Sequence, residues 1–253
     1  IKTQGFDVIY GDTDSVFVWI DRDINEGQAE QIGKDLVQGL NAWWTQQLRE
    51  RFNIESFLEM EYDIYYQRFF MPSIRGSEAG SKKRYCGLTQ INGEQELIFK
   101  GLEAVRSDWT PLASNFQKEL YKRIFLNEPY GEWLRSEIQA LLSGDRDDQL
   151  IYRKRLRQPL SAYQKNVPPH AQAASKLEQW LLVKGFPSRY GHRGGRIEYV
   201  WTVNGPEPLW PDGSPNSAPD YSHYLEKQIR PSLCQGLPDG WYEAFGHAHG
   251  ANL

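Results

Sequence analysis

Residues 10–15 read "YGDTDS", inside the longer stretch "FDVIYGDTDSVFVWI" at residues 6–20 that decides the fold of the N-terminal part. Phe6, Val8 and Tyr10 alternate with other side chains, and residues 16–20 are a continuous β-branched and aromatic run. Two such runs around a Gly-Asp turn predict a hairpin of two largely buried strands. This hairpin would place two carboxylates, Asp12 and Asp14, at its tip.

Two carboxylates this close need a stabilising partner. At a separation of about 5 Å they repel by roughly 3 kcal/mol at an effective dielectric near 20. A partly buried pair therefore needs a raised pKa or a cation between the two carboxylates, and Mg²⁺ prefers such oxygen ligands. The alternative is that Gly11, Asp12 and Asp14 are turn residues favoured by backbone chemistry alone. The apolar flanks favour the metal site.

Composition sets the broad class of the protein. The 253 residues are 40% hydrophobic, enough for a sizeable core and two modest domains. The net charge of -4 argues weakly against a polyanionic partner, but basic residues cluster at residues 81–85, 152–157 and 188–196, which leaves room for a basic surface. The two cysteines lack metal-ligand spacing and predict reduced thiols in an intracellular protein.

The first hundred residues alternate between strand and helix patterns. Apolar residues at three- and four-residue spacing predict an amphipathic helix over residues 26–52. The stretch "FLEMEYDIYYQRFFM" at residues 57–71 alternates strictly and predicts a strand with Glu59, Glu61 and Asp63 on one face. That face is either solvated or supplies Glu61 as a third carboxylate near the hairpin. Two further strands are predicted around the turn "INGE" at residues 91–94.

Beyond residue 108 the pattern becomes more helical. Thr110 and Pro111 predict a helix N-terminus, and further helices are predicted near residues 130–143, 170–182 and 221–229. A basic strand pattern lies near residues 150–156, and a further strand is predicted at residues 196–203. The fold class predicted for the whole chain is α+β.

Four ordered motifs resemble the family B DNA polymerases. "YGDTDS" resembles motif C of that family, and "LEMEYDIYYQRFFM" resembles its L-E-x-E strand. "SKKRYCGL" at residues 81–88 is similar to the K-K-x-Y motif, and "FKGLEAVRSDW" at residues 99–109 to the K-G-x-E-x-x-R-x-D segment. "RLRQPLSAYQKNVPPHAQAA" at residues 155–174 resembles a thumb stretch of bacterial members. One motif alone is weak evidence, whereas four in order are strong.

The resemblance implies a DNA-directed DNA polymerase acting in replication or repair. Residues 1–108 would be the C-terminal part of the palm, an antiparallel sheet with a packed helix, and residues 109–253 the mainly helical thumb. Asp14 would hold the two Mg²⁺ ions of nucleotidyl transfer, with Asp12 auxiliary and Glu61 as a nearby third carboxylate. The partners would be a dNTP and primer-template DNA. The residues expected to contact that DNA are Lys82, Lys83, Arg84, Tyr85, Lys100, Arg106, Arg155, Arg157, Tyr163 and Lys165. An Arg-Glu ion pair is an equally good reading of Arg106.

Other family features are not found in the sequence. Motif A, with the second catalytic aspartate, and motif B would precede residue 1, so we expect the chain alone to be an inactive fragment. A sliding clamp is a further partner in the family, but the tail "GHAHGANL" lacks a Gln-x-x-apolar-x-x-aromatic clamp peptide. The location would be cytoplasmic, at the bacterial nucleoid. Two alternatives stay open: a non-catalytic duplex-binding module, and a metal-dependent nuclease that uses Asp12, Asp14 and Glu61.

Overall fold

The structure is a computed structural model that describes residues 1–12, 14–21, 23–72, 83–191, 195–214 and 216–236. It divides the chain into two compact units, Ile1–Lys100 and Gly101–Leu253. Helices combine with antiparallel sheets in it, which confirms the predicted α+β class. The palm and thumb assignment stays a prediction. None of the described helices is long and apolar enough to cross a membrane.

The predicted hairpin is present in the first unit. β1 (Asp7–Asp12) pairs antiparallel with β2 (Ser15–Trp19), and Asp12 opposite Ser15 leaves two residues for the turn. The prediction that both strands are largely buried is wrong, because Ile9 is 50% and Trp19 53% exposed. Among the described residues the two strands pair only with each other, so they form a two-stranded sheet rather than part of a larger buried one.

A long helix follows the hairpin, at the bounds the sequence predicts. α1 (Glu26–Phe52) begins with a capping box between Asn25 and Gln28 and ends at Asn53 in the left-handed conformation. Asn41, in the middle of α1, donates from Nδ2 to the Met60 carbonyl at 3.0 Å and accepts from the Met60 N–H at 2.9 Å. The helix therefore holds the backbone of the segment that follows it.

That segment is mostly not a strand. Of the stretch at residues 57–71, only β3 (Arg68–Phe70) forms one, so the longer predicted strand is wrong. The alternation is nevertheless present, because Tyr62 is half-buried while Glu61 is exposed. An extended segment becomes a strand only through ladder partners. In the described structure the Met60 backbone is bonded to the Asn41 side chain instead.

A three-stranded sheet completes the first unit. β4 (Tyr85–Ile91) and β5 (Glu94–Lys100) form a hairpin, and the strand order is β3-β4-β5. The turn residues Asn92 and Gly93 have φ angles of 53° and 85°, as a two-residue hairpin turn of type I′ requires. Gly87 of β4 lies under the Tyr66 ring, which a Cβ at that position would overlap.

The second unit combines helices with another antiparallel sheet. α2 (Pro111–Phe125) begins at the predicted cap, because the Thr110 hydroxyl oxygen accepts from Ala113 N at 3.3 Å. The other elements are α3 (Gly131–Leu142), β6 (Tyr152–Leu156), α4 (Pro169–Val183), β7 (Gly195–Thr202), β8 (Gly205–Pro208), α5 (Tyr221–Tyr224), a π-helical turn (Leu225–Ile229) and α6 (Arg230–Gly236).

The sheet of the second unit has the order β6-β7-β8. The sequence pattern did not predict β8, because two of its four residues are prolines. Proline is tolerated on an edge strand, which is where β8 lies. On the buried face of β6 and β7, the Tyr152 ring stacks on Tyr199, with ring centroids 5.1 Å apart, and on Tyr224, with centroids 5.8 Å apart.

Candidate functional site

The hairpin tip carries the first predicted site residues. Asp14 is exposed in the two-residue turn, and Asp12 is the last residue of β1. Thr13 and the side chain of Asp12 lie outside the described residues. The short turn holds the Asp14 backbone next to the ends of both strands, with its side chain exposed. The geometry therefore presents at least the Asp14 oxygens to a ligand.

An aromatic cluster lies two strand pairs below the tip of this hairpin, where Tyr10 faces Phe17. Its members are Tyr10, Phe17, Tyr66, Phe69 and Tyr85. Phe17 is central, with ring centroids 5.5 Å from Tyr10, 5.1 Å from Phe69 and 5.2 Å from Tyr85. Burial, together with Tyr85, raises the pKa of Tyr66 well above its usual range. The cluster joins the hairpin to the sheet of β3, β4 and β5.

The "SKKRY" segment reaches the hairpin through this cluster. Lys83 is exposed and has a φ of 62°, and its backbone N–H donates to the Tyr10 hydroxyl at 2.8 Å. Arg84 is half-buried, and the ring of Tyr85 belongs to the aromatic cluster. Lys82 lies outside the described residues. Among these predicted DNA contacts, the structure leaves the Lys83 side chain exposed and packs Tyr85 against other rings.

The carboxylates near the hairpin tip decide how a magnesium ion would fit there. Asp14 offers the oxygen ligand that Mg²⁺ prefers. Across the described ranges, no group of three or more His, Cys, Asp or Glu side chains is placed to hold a metal ion. Glu61 is exposed in the segment after α1. The described residues alone therefore do not complete a metal site, which would need the side chain of Asp12 or carboxylates from elsewhere.

Arg106 and Lys154 both form ion pairs with the Asp108 carboxylate. The Arg106 Nε and Nη2 donate to the two carboxylate oxygens of Asp108 at 3.0 and 2.9 Å. Lys154 of β6 donates to the same carboxylate at 3.0 Å. The hydrogen bond from Arg106, followed by that from Lys154, holds the pKa of Asp108 well below its usual range. The described ion pair of Arg106 is thus with an aspartate, and Lys100 is exposed at the end of β5.

The exposed face of β6 and β7 carries more positive than negative side chains. Arg153 faces Glu198 across the strands, and their side chains form an ion pair at 2.7 Å. In the same register Arg155 faces Arg196, and both are exposed. Within the described part of the chain neither of these two arginines forms an ion pair. Like charges directly opposite each other destabilise a sheet, so this rung favours an external anion.

The remaining predicted contacts lie just after β6. Arg157 and Lys165 are exposed, and Tyr163 is half-buried. The Tyr163 hydroxyl accepts from Arg157 N at 3.3 Å, and its ring lies edge-on to His170 at 6.1 Å. Burial, then the charges of Lys154 and Arg157, lower the pKa of His170. Burial is the larger cause, and the two positive charges add to it.

Sequence reasoning missed three residues in these surroundings. Tyr10 and Asp108 lie in two of the family-like motifs and Arg196 begins a predicted strand, but the sequence assigns none of the three a partner. Their roles depend on partners that are 73, 46 and 41 residues away along the chain. The strand pattern of residues 196–203 was the one available signal for Arg196.

Residues 2–232 match the sequence model of the family described as DNA polymerase family B. DNA polymerase II of Escherichia coli (strain K12) is 54% identical over 237 residues, which is 94% of this chain and 30% of that protein. DNA polymerase 2 of Aeropyrum pernix is 29% identical over 92% of this chain and 25% of that protein.

A eukaryotic relative points the same way. The DNA polymerase delta catalytic subunit of Plasmodium falciparum is 26% identical over 89% of this chain and 20% of that protein. The chain spans less than a third of the length of these relatives. Since the family match extends over most of the chain, from residue 2 to residue 232, the chain belongs to DNA polymerase family B.

Proposed function

We propose that the chain forms the part of a DNA-directed DNA polymerase that supplies some of the metal ligands and many of the contacts to the primer-template DNA. The observation that carries this proposal is Asp14, exposed in a two-residue turn of a hairpin, in a chain that matches family B over residues 2–232. A carboxylate in this position suits a magnesium ion that must also reach a substrate phosphate.

Each residue at the tip would have a distinct task. Asp14, with Asp12 beside it, would hold Mg²⁺, and the ions would supply charge stabilisation for phosphoryl transfer from a dNTP. Lys83 would bind a phosphate of the primer-template, since its side chain is exposed next to the hairpin. Glu61, whose side chain is exposed, would be the third carboxylate near this site.

The second unit would hold the duplex through its phosphates. Arg155 and Arg196 form an uncompensated cationic rung on an exposed sheet face, and Arg157 is exposed just beyond β6. Arginine and lysine neutralise DNA phosphates without reading sequence. Lys165 is exposed in the same region of the chain. This distribution supports duplex binding by the second unit, as expected of a thumb in a replication or repair polymerase.

The chain by itself is expected not to extend a primer. Motif A, with the second catalytic aspartate, and motif B are not found in the sequence, and a two-metal reaction needs ligands for both ions. Extension of a primer by the purified chain would contradict this expectation. Degradation of DNA by the purified chain with Mg²⁺ would instead favour the nuclease alternative.

The catalytic assignment is tested by Asp14→Asn in the full-length polymerase. The change keeps the shape of the side chain and removes its charge. We expect primer extension with Mg²⁺ to fall by at least about 100- to 1,000-fold, the loss typical of removing one group that stabilises transition-state charge. Asp148→Asn, at an exposed carboxylate of the second unit, is the matched control and should retain activity. Less than a tenfold loss for Asp14→Asn, with the fold intact, would exclude the assignment.

A further inference from the structure

The Tyr10 hydroxyl joins two segments that the proposed function uses separately. Tyr10 lies in β1, four residues before Asp14. Its hydroxyl oxygen accepts a hydrogen bond of 2.8 Å from the backbone N–H of Lys83. The two residues are 73 positions apart in sequence, so this bond is a tertiary connection between the hairpin and the start of β4.

A bulge in β1 makes the connection geometrically available. Val8 pairs with Val18, but Tyr10 pairs with Phe17, so Ile9 is an extra residue in the strand. Without the bulge Tyr10 would face Val16 and would point to the other side of the hairpin. Bulges characteristically re-aim a side chain in this way. The result places the Tyr10 ring 5.5 Å from Phe17, in the aromatic cluster.

The backbone at Lys83 needs such support. Its φ of 62° is left-handed, a conformation that costs a residue with a Cβ roughly 1 kcal/mol or more. Strained positions persist only where their surroundings hold them. The Tyr10 hydroxyl supplies one hold at Lys83, and the Tyr85 ring, packed in the aromatic cluster, supplies another two residues later.

We propose that Tyr10 is a positioning residue for nucleotidyl transfer: its hydroxyl fixes the Lys83 turn against the Asp14 hairpin. The inference rests on the proposed function and deepens it. The group that would hold magnesium and the group that would hold the primer strand then move as one body. Reaction rates depend steeply on such relative placement. The affinity for DNA depends instead on phosphate contacts spread over the protein.

The test compares Tyr10→Phe with Tyr62→Phe in the full-length polymerase. Tyr10→Phe keeps the ring in the aromatic cluster and removes only the acceptor oxygen. Tyr62→Phe removes a hydroxyl from another half-buried tyrosine of the same unit, whose ring packs on Gly33. The first readout is hydrogen exchange of the Lys83 amide, which does not depend on activity. We expect exchange there to be about five- to tenfold faster in Tyr10→Phe and unchanged in Tyr62→Phe.

The second readout is single-turnover nucleotide incorporation beside primer-template affinity. In Tyr10→Phe the rate should fall about five- to tenfold while the Kd for primer-template changes less than about twofold. An unchanged Lys83 exchange rate, an unchanged incorporation rate, or a weakened Kd that accounts for the whole loss would each overturn the proposal. Failure of the catalytic assignment would appear separately, as polymerisation that survives Asp14→Asn.

Discussion

The rung of Arg155 and Arg196 leads to a prediction in which binding and stability change in opposite directions. Each arginine is exposed, and they face each other across β6 and β7 with no described ion pair. Replacing Arg196 with glutamine keeps a long polar side chain and removes one charge. DNA binding should weaken, and the free energy of unfolding should rise.

Both magnitudes follow from this geometry. Each phosphate contact contributes about 0.9 to the slope of log K against log salt concentration, so Arg196→Gln should lower that slope by about 0.9. Adding Arg155→Gln should bring the total loss to about 1.8. Removal of one of the two charges is enough to end the like-charge repulsion. Arg196→Gln alone should therefore raise the free energy of unfolding by about 0.2–1 kcal/mol, the usual size of a cross-strand pair interaction.

Arg153 supplies the matched control. Its guanidinium already pairs with Glu198 at 2.7 Å, so Arg153→Gln should change the salt slope much less. Binding of the chain to a duplex is measured by fluorescence anisotropy between about 50 and 200 mM salt, where phosphate contacts dominate. Stability is measured by urea unfolding of the same proteins. Equal slope changes for Arg153→Gln and Arg196→Gln, or a loss of stability in Arg196→Gln, would refute the reasoning.

Two further predictions concern the second unit. Gln228→Met keeps the side-chain volume but leaves the buried Thr110 N–H, which donates to Gln228 Oε1 at 3.2 Å, without an acceptor. We expect the free energy of unfolding to fall by about 1–3 kcal/mol. Urea unfolding measures it, with Gln179→Met at an exposed position as the control, and equal midpoints for the two variants would contradict the prediction. Burial lowers the pKa of His223 from 6.5 to about 4. The unfolded chain then binds a proton that the native state does not, so stability should fall as the pH drops from 6.5 towards 4. His223→Gln should reduce that loss by about 1–2 kcal/mol, a figure lowered for partial exposure, and urea midpoints at several pH values check it.

Elements with local signals were predicted well. The α1 bounds follow from apolar spacing, with a capping box between Asn25 and Gln28 at one end and a left-handed Asn53 at the other. The start of α2 follows from Thr110 and Pro111. Caps and tight turns involve residues only a few positions apart, so the sequence carries their signal almost completely.

Elements that need distant partners were predicted poorly. The alternation at residues 57–66 predicted a strand, yet no described strand pairs with it, and its Met60 backbone is bonded to Asn41 instead. β8 was missed because its prolines conceal an edge position. The hairpin strands were predicted to be buried, although Trp19 is 53% exposed. A side-chain pattern cannot state which other segment will cover it.

By itself, then, the sequence determined the hairpin with Asp14 at its turn, the main helices and the family. Only the tertiary structure decided that a bulge turns Tyr10 towards Lys83 and that Arg155 faces Arg196. It also decided that Lys154 joins Arg106 at the Asp108 carboxylate. The physical reason is the range of the interactions. Caps, turns and periodic burial are encoded over a few neighbouring residues, whereas strand register and charge pairing join residues that only the folded chain brings together.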